Sequence, residues 1–387
     1  MIYVHVPFCR SFCTYCGFYS EVAPRCRKSD DTLGQEREFE DYLTALDAEI
    51  RVRQNEIQRM SASEGADTLY IGGGTPSVLS LHMLERLLAS LGRQGFREFT
   101  LEVNPEDIVE KGAEYVAGLL SLGVNRISMG VQSFDDGILR WMNRRHSASQ
   151  AVEAYRILED AGVGNISIDL IFGLPQMTGR LWEETVRKAL EISPSGVPPK
   201  HISAYQLSVE EDSMLEKMIA EGKCFQASEE ACESQYSVLC KILGEAGYNH
   251  YEISNFAVPG YEAVHNSAYW RDVPYVGLGP GAHSYMGGMR QWNEADLRKY
   301  IAAGQKGDFS SVRGGEVLDS GQKALERIML GLRTSAGVSL DYLRGCCRET
   351  SLEEALHRGN LIVREDGNVR IPEDRFFISD NIISSLV

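Results

Sequence analysis

Short β-branched runs alternate with amphipathic helical stretches through the first half of the chain, and that alternation narrows the possible folds most. Ile2–Val6, Thr68–Ile71, Thr100–Val103, Arg126–Val131, Ile166–Ile171 and His201–Tyr205 read as strands. Phe39–Arg59, Leu81–Leu91, Gly112–Leu122, Ser149–Ala161 and Leu181–Leu190 carry apolar residues at spacings of three and four, as helices packing one face do. Six βα units predict an α/β fold: a parallel sheet curved into a partial (β/α)6 barrel, with functional loops after the C-terminal ends of the strands.

The 387 residues exceed the roughly 250 of a single α/β barrel, which predicts one large domain with appendages. The boundaries read as a barrel over 1–205, an aromatic and Gly-rich extension over 206–318 that completes the barrel side, and a C-terminal unit over 319–387. A helix from Glu229 to Ala246 leads into the extension, which holds Tyr251, Phe256, Tyr261, Tyr269, Trp270, Tyr275, Tyr285 and Trp292. In the C-terminal unit a helical run from Gln322 to Arg333, a second short helix and a hairpin closed by Asp366-Gly367 predict a small winged-helix-like fold. Its many carboxylates make it a protein contact or a lid rather than a DNA reader. The net charge of −16 likewise argues against a phosphate-tracking surface, so no nucleic-acid partner is expected. No stretch reaches the roughly 18 uninterrupted apolar residues of a membrane span, and Met1–Val6 lacks the features of a signal peptide. The expected location is the cytoplasm.

Nine cysteines in a reducing compartment read as ligands or packing thiols rather than a disulfide framework. Cys9, Cys13 and Cys16 fall within eight residues of a loop directly after the first strand, where a short backbone can wrap three thiolates around one centre and leave a position open. Thiolate favours an iron–sulfur cluster or zinc. In the zinc alternative His5 supplies the fourth ligand, although it lies inside the strand. Cys26, in a polar insertion from Glu21 to Glu38, reads as a loop thiol.

Tyr70-Ile71-Gly72-Gly73-Gly74-Thr75-Pro76 follows the second strand. Three glycines let backbone approach a ligand closely and offer free amides and carbonyls; the alternative is a plain strand-to-helix turn with Ser77 or Ser80 as cap. Glu102 and Asp169 sit within strands, where a buried carboxylate needs a partner. Ribose hydroxyls or a ligand amino group would serve, and so would pairing with Arg126 or Arg144. Gln132 and Arg144 complete a polar set at the same barrel mouth.

The cysteine spacing after the first strand, followed by the glycine segment, resembles the radical S-adenosylmethionine (SAM) family. There three cysteines hold a [4Fe-4S] cluster whose fourth iron chelates SAM. The order of the later motifs resembles the oxygen-independent coproporphyrinogen III oxidase branch, which carries two SAM sites. The resemblance implies that Tyr3, Gly73 and Glu102 belong to the cluster-bound SAM site, and Tyr15, Gly74, Thr75, Gln132, Arg144 and Asp169 to the second.

Authentic oxidases of that branch carry a further cysteine two residues after the third ligand and a long segment ahead of the motif. This chain has Phe18 there and eight residues before Cys9. Both departures resemble the branch's haem chaperone group, as does His265-Asn266-Ser267-Ala268-Tyr269-Trp270. The resemblance implies haem as a third cofactor, with His265 as axial ligand and His250 and His283 as competitors. It also implies haem-acceptor proteins of respiratory complexes as partners, transient membrane association through the acceptor, a homodimer, and no coproporphyrinogen oxidase activity.

Overall fold

The computed structural model describes residues 1–23, 32–62 and 67–387. Cys26 lies outside the described residues, as does much of the insertion around it. Six strands form where the β-branched runs predict them: β1 (Ile2–Val6), β2 (Thr68–Gly73), β3 (Glu98–Val103), β4 (Arg126–Gln132), β5 (Ile166–Phe172) and β6 (His201–Gln206). They pair in sequence order, all parallel.

The sheet does not end there. Asn249–Glu252 (β7) and Asn255–Ala257 (β8) add antiparallel strands beyond β6, while Val276–Leu278 (β9) pairs parallel with β1. The aromatic extension therefore supplies both edges of a nine-stranded sheet rather than standing apart from it. Its strands are only three or four residues long, too short for periodicity to reveal.

Alternation along each strand explains the layering. Ile2, Val4, Leu69, Ile71, Leu101, Ile127, Met129, Ile168 and Leu170 are buried on one face, which belongs to the hydrophobic core. The opposite residues are polar: Tyr3, Tyr70, Thr100, Glu102, Arg126, Ser128, Ser167, Asp169, His201 and Ser203. Side chains from β1, β2, β4, β6 and β8 line a single cavity of about 170 Å³. Strands that far apart share one cavity only if the sheet curves around it, and the polar face is the inside of that curve.

Two helices differ from the sequence pattern. The first predicted helix divides into Thr32–Val52 and Gln54–Ala62 around Arg53, whose buried guanidinium donates to the Gly277 carbonyl oxygen and to Ser284 Oγ. The helix expected from Gly112 starts seven residues earlier, at Pro105, because the Asn104 side chain caps it and Pro105 fills its first position. Gly112, at φ 68°, interrupts it rather than beginning it. The C-terminal unit contains the helix Ser320–Leu332, three further short α-helices (Leu340–Cys346, Glu349–His357 and Ser379–Leu386), and a three-stranded antiparallel sheet that includes the hairpin across Asp366-Gly367.

Candidate cofactor site

The cysteine loop leaves β1 and folds back on itself, so that Phe8–Cys9 pairs in parallel with Glu21–Val22. Its far side is clipped to a turn about 130 residues away. The Thr14 amide donates to the Met142 carbonyl oxygen at 3.0 Å, the Thr14 hydroxyl to that of Trp141 at 2.8 Å, and Asn143 Nδ2 to that of Phe12 at 2.6 Å. Arg10 adds an ion pair with Asp107 at 3.0 Å. The three thiols are thus held at the C-terminal end of β1, half-buried and unpaired with one another. Burial raises the Cys9 pKa and pushes the Cys16 thiol up to about 11, so loading iron has to displace protons.

The zinc alternative fails at His5. Its Nδ1 meets the Tyr3 hydroxyl at 3.0 Å and its Nε2 the Tyr19 carbonyl oxygen at 2.9 Å, so neither ring nitrogen is free to bind metal. Among the described residues, no three His, Cys, Asp or Glu side chains lie close enough together to hold a single ion.

The glycine segment runs against the start of this loop. The Gly74 amide donates to the Val6 carbonyl oxygen and the Thr75 amide to that of Phe8. A Cβ on Gly74 would stand 2.7 Å from the Phe8 oxygen, and one on Gly73, at φ 110°, would meet the His5 ring at 2.6 Å. Only glycine fits at either position. The Thr75 hydroxyl donates to Cys9 Sγ at 3.4 Å. Ser80, not Ser77, caps the following helix Leu81–Leu91; Ser77 bonds the buried Asp107.

Among the described residues, neither strand carboxylate forms an ion pair with arginine. Glu102 accepts from the Tyr70 hydroxyl at 2.7 Å and the Gly73 amide at 3.1 Å, and burial pushes its carboxyl up to about 7. Asp169 accepts from the Ser128 hydroxyl, and burial likewise raises its pKa. Tyr70 and Ser128, which bond these carboxyls, were not among the candidate site residues read from the motifs. The signal was the strand register, which faces Glu102 with Ser128 on the inner side.

Gln132 ends β4 in the left-handed region, at φ 65°, just after a register shift. A bulge with a non-glycine residue at positive φ is strained backbone of the kind that re-aims a side chain. Gly130 leaves the room it needs, since a Cβ there would fall 2.9 Å from Gln132 Nε2 and 3.2 Å from Arg144 Nη2. Arg144 donates to the Gly130 carbonyl oxygen at 2.6 Å and to Cys13 Sγ at 3.5 Å. Gln132 Oε1 and Arg144 Nε are buried with no hydrogen-bond partner among the described residues. Tyr15 is close enough to Cys13, Cys16 and Arg144 for each to influence its hydroxyl. Gly73 and Glu102 are thus joined by a hydrogen bond, with Tyr3 beside the Tyr70 ring, while Tyr15 and Arg144 gather at Cys13 and Gln132 and Arg144 both lie against Gly130.

The three histidines of the extension differ sharply. His265 is buried, its Nδ1 paired with the Thr68 hydroxyl at 2.7 Å and its Nε2 with Tyr269 at 3.0 Å. His250 stacks on Phe256 and bonds Tyr236. His283 is exposed, stacks against Trp292 with ring centroids 6.1 Å apart, and makes no side-chain hydrogen bond within the described residues.

Residues 3–189 match the radical SAM superfamily. Over 88% of this chain the sequence is 35% identical to the haem chaperone HemW of Lactococcus lactis, covering 83% of that protein. It is 33% identical to the HemW of Bacillus subtilis over 87% of this chain and 84% of the relative. The chain belongs to the HemW family. Coproporphyrinogen III oxidase (HemN) from Escherichia coli, a radical SAM enzyme, superposes with a TM-score of 0.77 at 22% identity, covering 99% of this chain and 89% of that one. That likeness is one of fold.

As a radical SAM protein, this HemW-family chain takes a [4Fe-4S] cluster and SAM as cofactors. Its residues fit both. Three thiols on one short loop suit iron–sulfur ligation, the Gly73-Gly74 cradle leaves space that a Cβ would fill, and the orphaned polar atoms of Gln132 and Arg144 wait at the rim. Phe18, where the oxidases carry their further cysteine, is 72% exposed.

Proposed function

We propose that this chain is a haem chaperone that binds haem and passes it to acceptor proteins of respiratory complexes. The observation carrying this reading is kinship with HemW proteins over most of the chain, joined to a cysteine loop with Phe18 and not a fourth cysteine after it. In this reading Cys9, Cys13 and Cys16 hold the cluster. Tyr3, Gly73 and Glu102 receive SAM beside it, while Tyr15, Gly74, Thr75, Gln132, Arg144 and Asp169 form a second nucleotide site. Bound there, the cluster and SAM supply one-electron chemistry. Glu102 accepts hydrogen bonds from ligand hydroxyls, and the glycine backbone offers amides and carbonyls. Arg144 sets a fixed positive charge against the thiolates.

For haem, the motif nominates His265 as axial ligand, at the cost of its Nε2 bond to Tyr269. A specific observation favours His283 instead: its imidazole is exposed, makes no hydrogen bond among the described residues and is backed by the flat Trp292 ring. No described helix is long and apolar enough to cross a membrane. With a charge of −16, the reading includes a cytoplasmic location, no nucleic-acid partner, membrane contact only through the acceptor, and self-association as a homodimer. The C-terminal unit serves as a protein contact.

The test is anaerobic. Reconstituted protein is expected to bind haem stoichiometrically and to leave coproporphyrinogen III unchanged in the presence of SAM and a reductant. His283→Ala should lose the axial-ligand spectrum, while His265→Ala keeps it and melts lower. Conversion to protoporphyrinogen IX would make the chain an oxidase and overturn the reading.

A further inference from the structure

The cavity inside the curved sheet contains a guanidinium that makes no hydrogen bond among the described residues, although the Glu102 and Asp169 carboxyls lie near enough to feel its charge. Arg126, the first residue of β4, is 3% exposed, and its Nε has no hydrogen-bond partner. Within the described residues its guanidinium makes no hydrogen bond or ion pair, yet it lines the cavity. The groups around it are committed elsewhere. Glu102 is held by Tyr70 and Gly73, and Asp169 by Ser128. His201 bonds Ser167 and Tyr251, and His265 bonds Thr68 and Tyr269. Burial, with Arg126 adding to it, keeps both of these rings neutral.

A buried guanidinium whose donors go unmet is unfavourable, so one that lines an empty space is suited to a ligand that brings acceptors. The cavity also has a way in. Tyr205, near the opposite end of β6 from His201, lines it and is 45% exposed, whereas Arg126 and His201, which begin their strands, are buried. At about 170 Å³ it takes the acid arm of a ligand but not a flat macrocycle, for which sites of about 300 Å³ or more are usual.

We propose that Arg126 is the receptor for a ligand carboxylate that enters the barrel from the Tyr205 end. A guanidinium fork matches a carboxylate in two parallel hydrogen bonds, and the Tyr3 and Tyr70 hydroxyls lining the same space add polar contacts. Two sources carry this chemistry: a propionate of a tetrapyrrole and the methionine carboxylate of SAM. The tetrapyrrole source rests on the haem-binding reading above; the SAM source does not.

The experiment compares two ligand pairs on cluster-reconstituted protein: haem with its dimethyl ester, and SAM with methylthioadenosine, which lacks the carboxylate. In one pair the wild type is expected to prefer the acid by about tenfold or more, as a buried charge-assisted pair allows. Arg126→Met should abolish that preference, Arg126→Lys should retain part of it, and the affected pair identifies the source. Preferences unchanged in both pairs would show a structural arginine and overturn the proposal. If the wild type binds no haem, the chaperone reading fails while the SAM pair still judges Arg126.

Discussion

Glu102 carries a proton equilibrium that can be measured. Its ordinary pKa is 4.5, and burial pushes it to about 7 against the Tyr70 hydroxyl that favours the charged form. The groups facing it are Tyr70, Tyr3, the Asp169 carboxyl and the Arg126 guanidinium. The folded chain therefore holds this proton more tightly than the unfolded chain does. The stabilising contribution is complete below about pH 4.5 and is lost as the pH rises through about 7. Glu102→Gln, which keeps the shape without the charge, should gain stability relative to the wild-type apoprotein at pH 8 and show little difference at pH 4.5, read as denaturation midpoints. Only the carboxylate accepts two ligand hydroxyls, so SAM should bind the wild type more tightly above pH 7 and the variant weakly at every pH. A variant whose midpoints track the wild type from pH 5 to 8 would show that burial does not govern this group.

At the scale of elements, the cysteine loop is held by a turn distant in sequence. Thr14 is nearly buried, and its amide and hydroxyl bond successive carbonyl oxygens at Met142 and Trp141. Thr14→Val keeps the shape and deletes the hydroxyl, leaving the Trp141 oxygen unsatisfied at a cost of about 1–2 kcal/mol. Reconstituted Thr14→Val should lose iron to a chelator faster than the wild type; equal rates would show that the loop is fixed by its own strand pairing. This clip was not legible beforehand, because neither Thr14 nor Trp141 belongs to a motif. The six parallel strands were legible, since β-branched runs of five to seven residues declare themselves, and so were the cysteines and glycines, whose spacing carries their chemistry. The short edge strands β7, β8 and β9 and the bulge at Gln132 were not. Tertiary pairing makes the strands, and backbone strain makes the bulge, which no side-chain pattern announces.

For the molecule as a whole, the question is what binds the late segment to the barrel, and the centre of the answer is one carboxylate. Glu49, in the helix Thr32–Val52, is fully buried. It accepts from the Gly279 amide at 2.9 Å, Asn293 Nδ2 at 2.8 Å, the Tyr300 hydroxyl at 2.7 Å and Arg313 at 3.1 Å, with Arg53 at 3.7 Å. Four of those partners come from residues 279–313, so this group ties the β9 edge and the three-stranded sheet His283–Val317 to the first helix of the barrel. Glu49→Ala would leave Arg313 without its counter-charge and the Gly279, Asn293 and Tyr300 donors without their shared acceptor, while Arg53 keeps Glu56 at 2.6 Å; the expected loss is about 3–5 kcal/mol. Glu49→Gln keeps acceptors for Gly279 and Tyr300 but not the charge, and should fall between the alanine variant and the wild type. Because the network is out of water, neither loss should shrink appreciably at high salt, unlike that of a surface pair. Gly279 also lies against the His5 backbone, where a Cβ would fall 2.5 Å from its carbonyl oxygen, and His5 in turn bonds Tyr19 of the cysteine loop. Loosening Glu49 should therefore reach the cluster site, so Glu49→Gln is expected to bleach its iron–sulfur absorbance at a lower denaturant concentration than the wild type. If the alanine variant unfolds with the wild-type midpoint, the late segment is held by its apolar contacts, and the buried charges are dispensable.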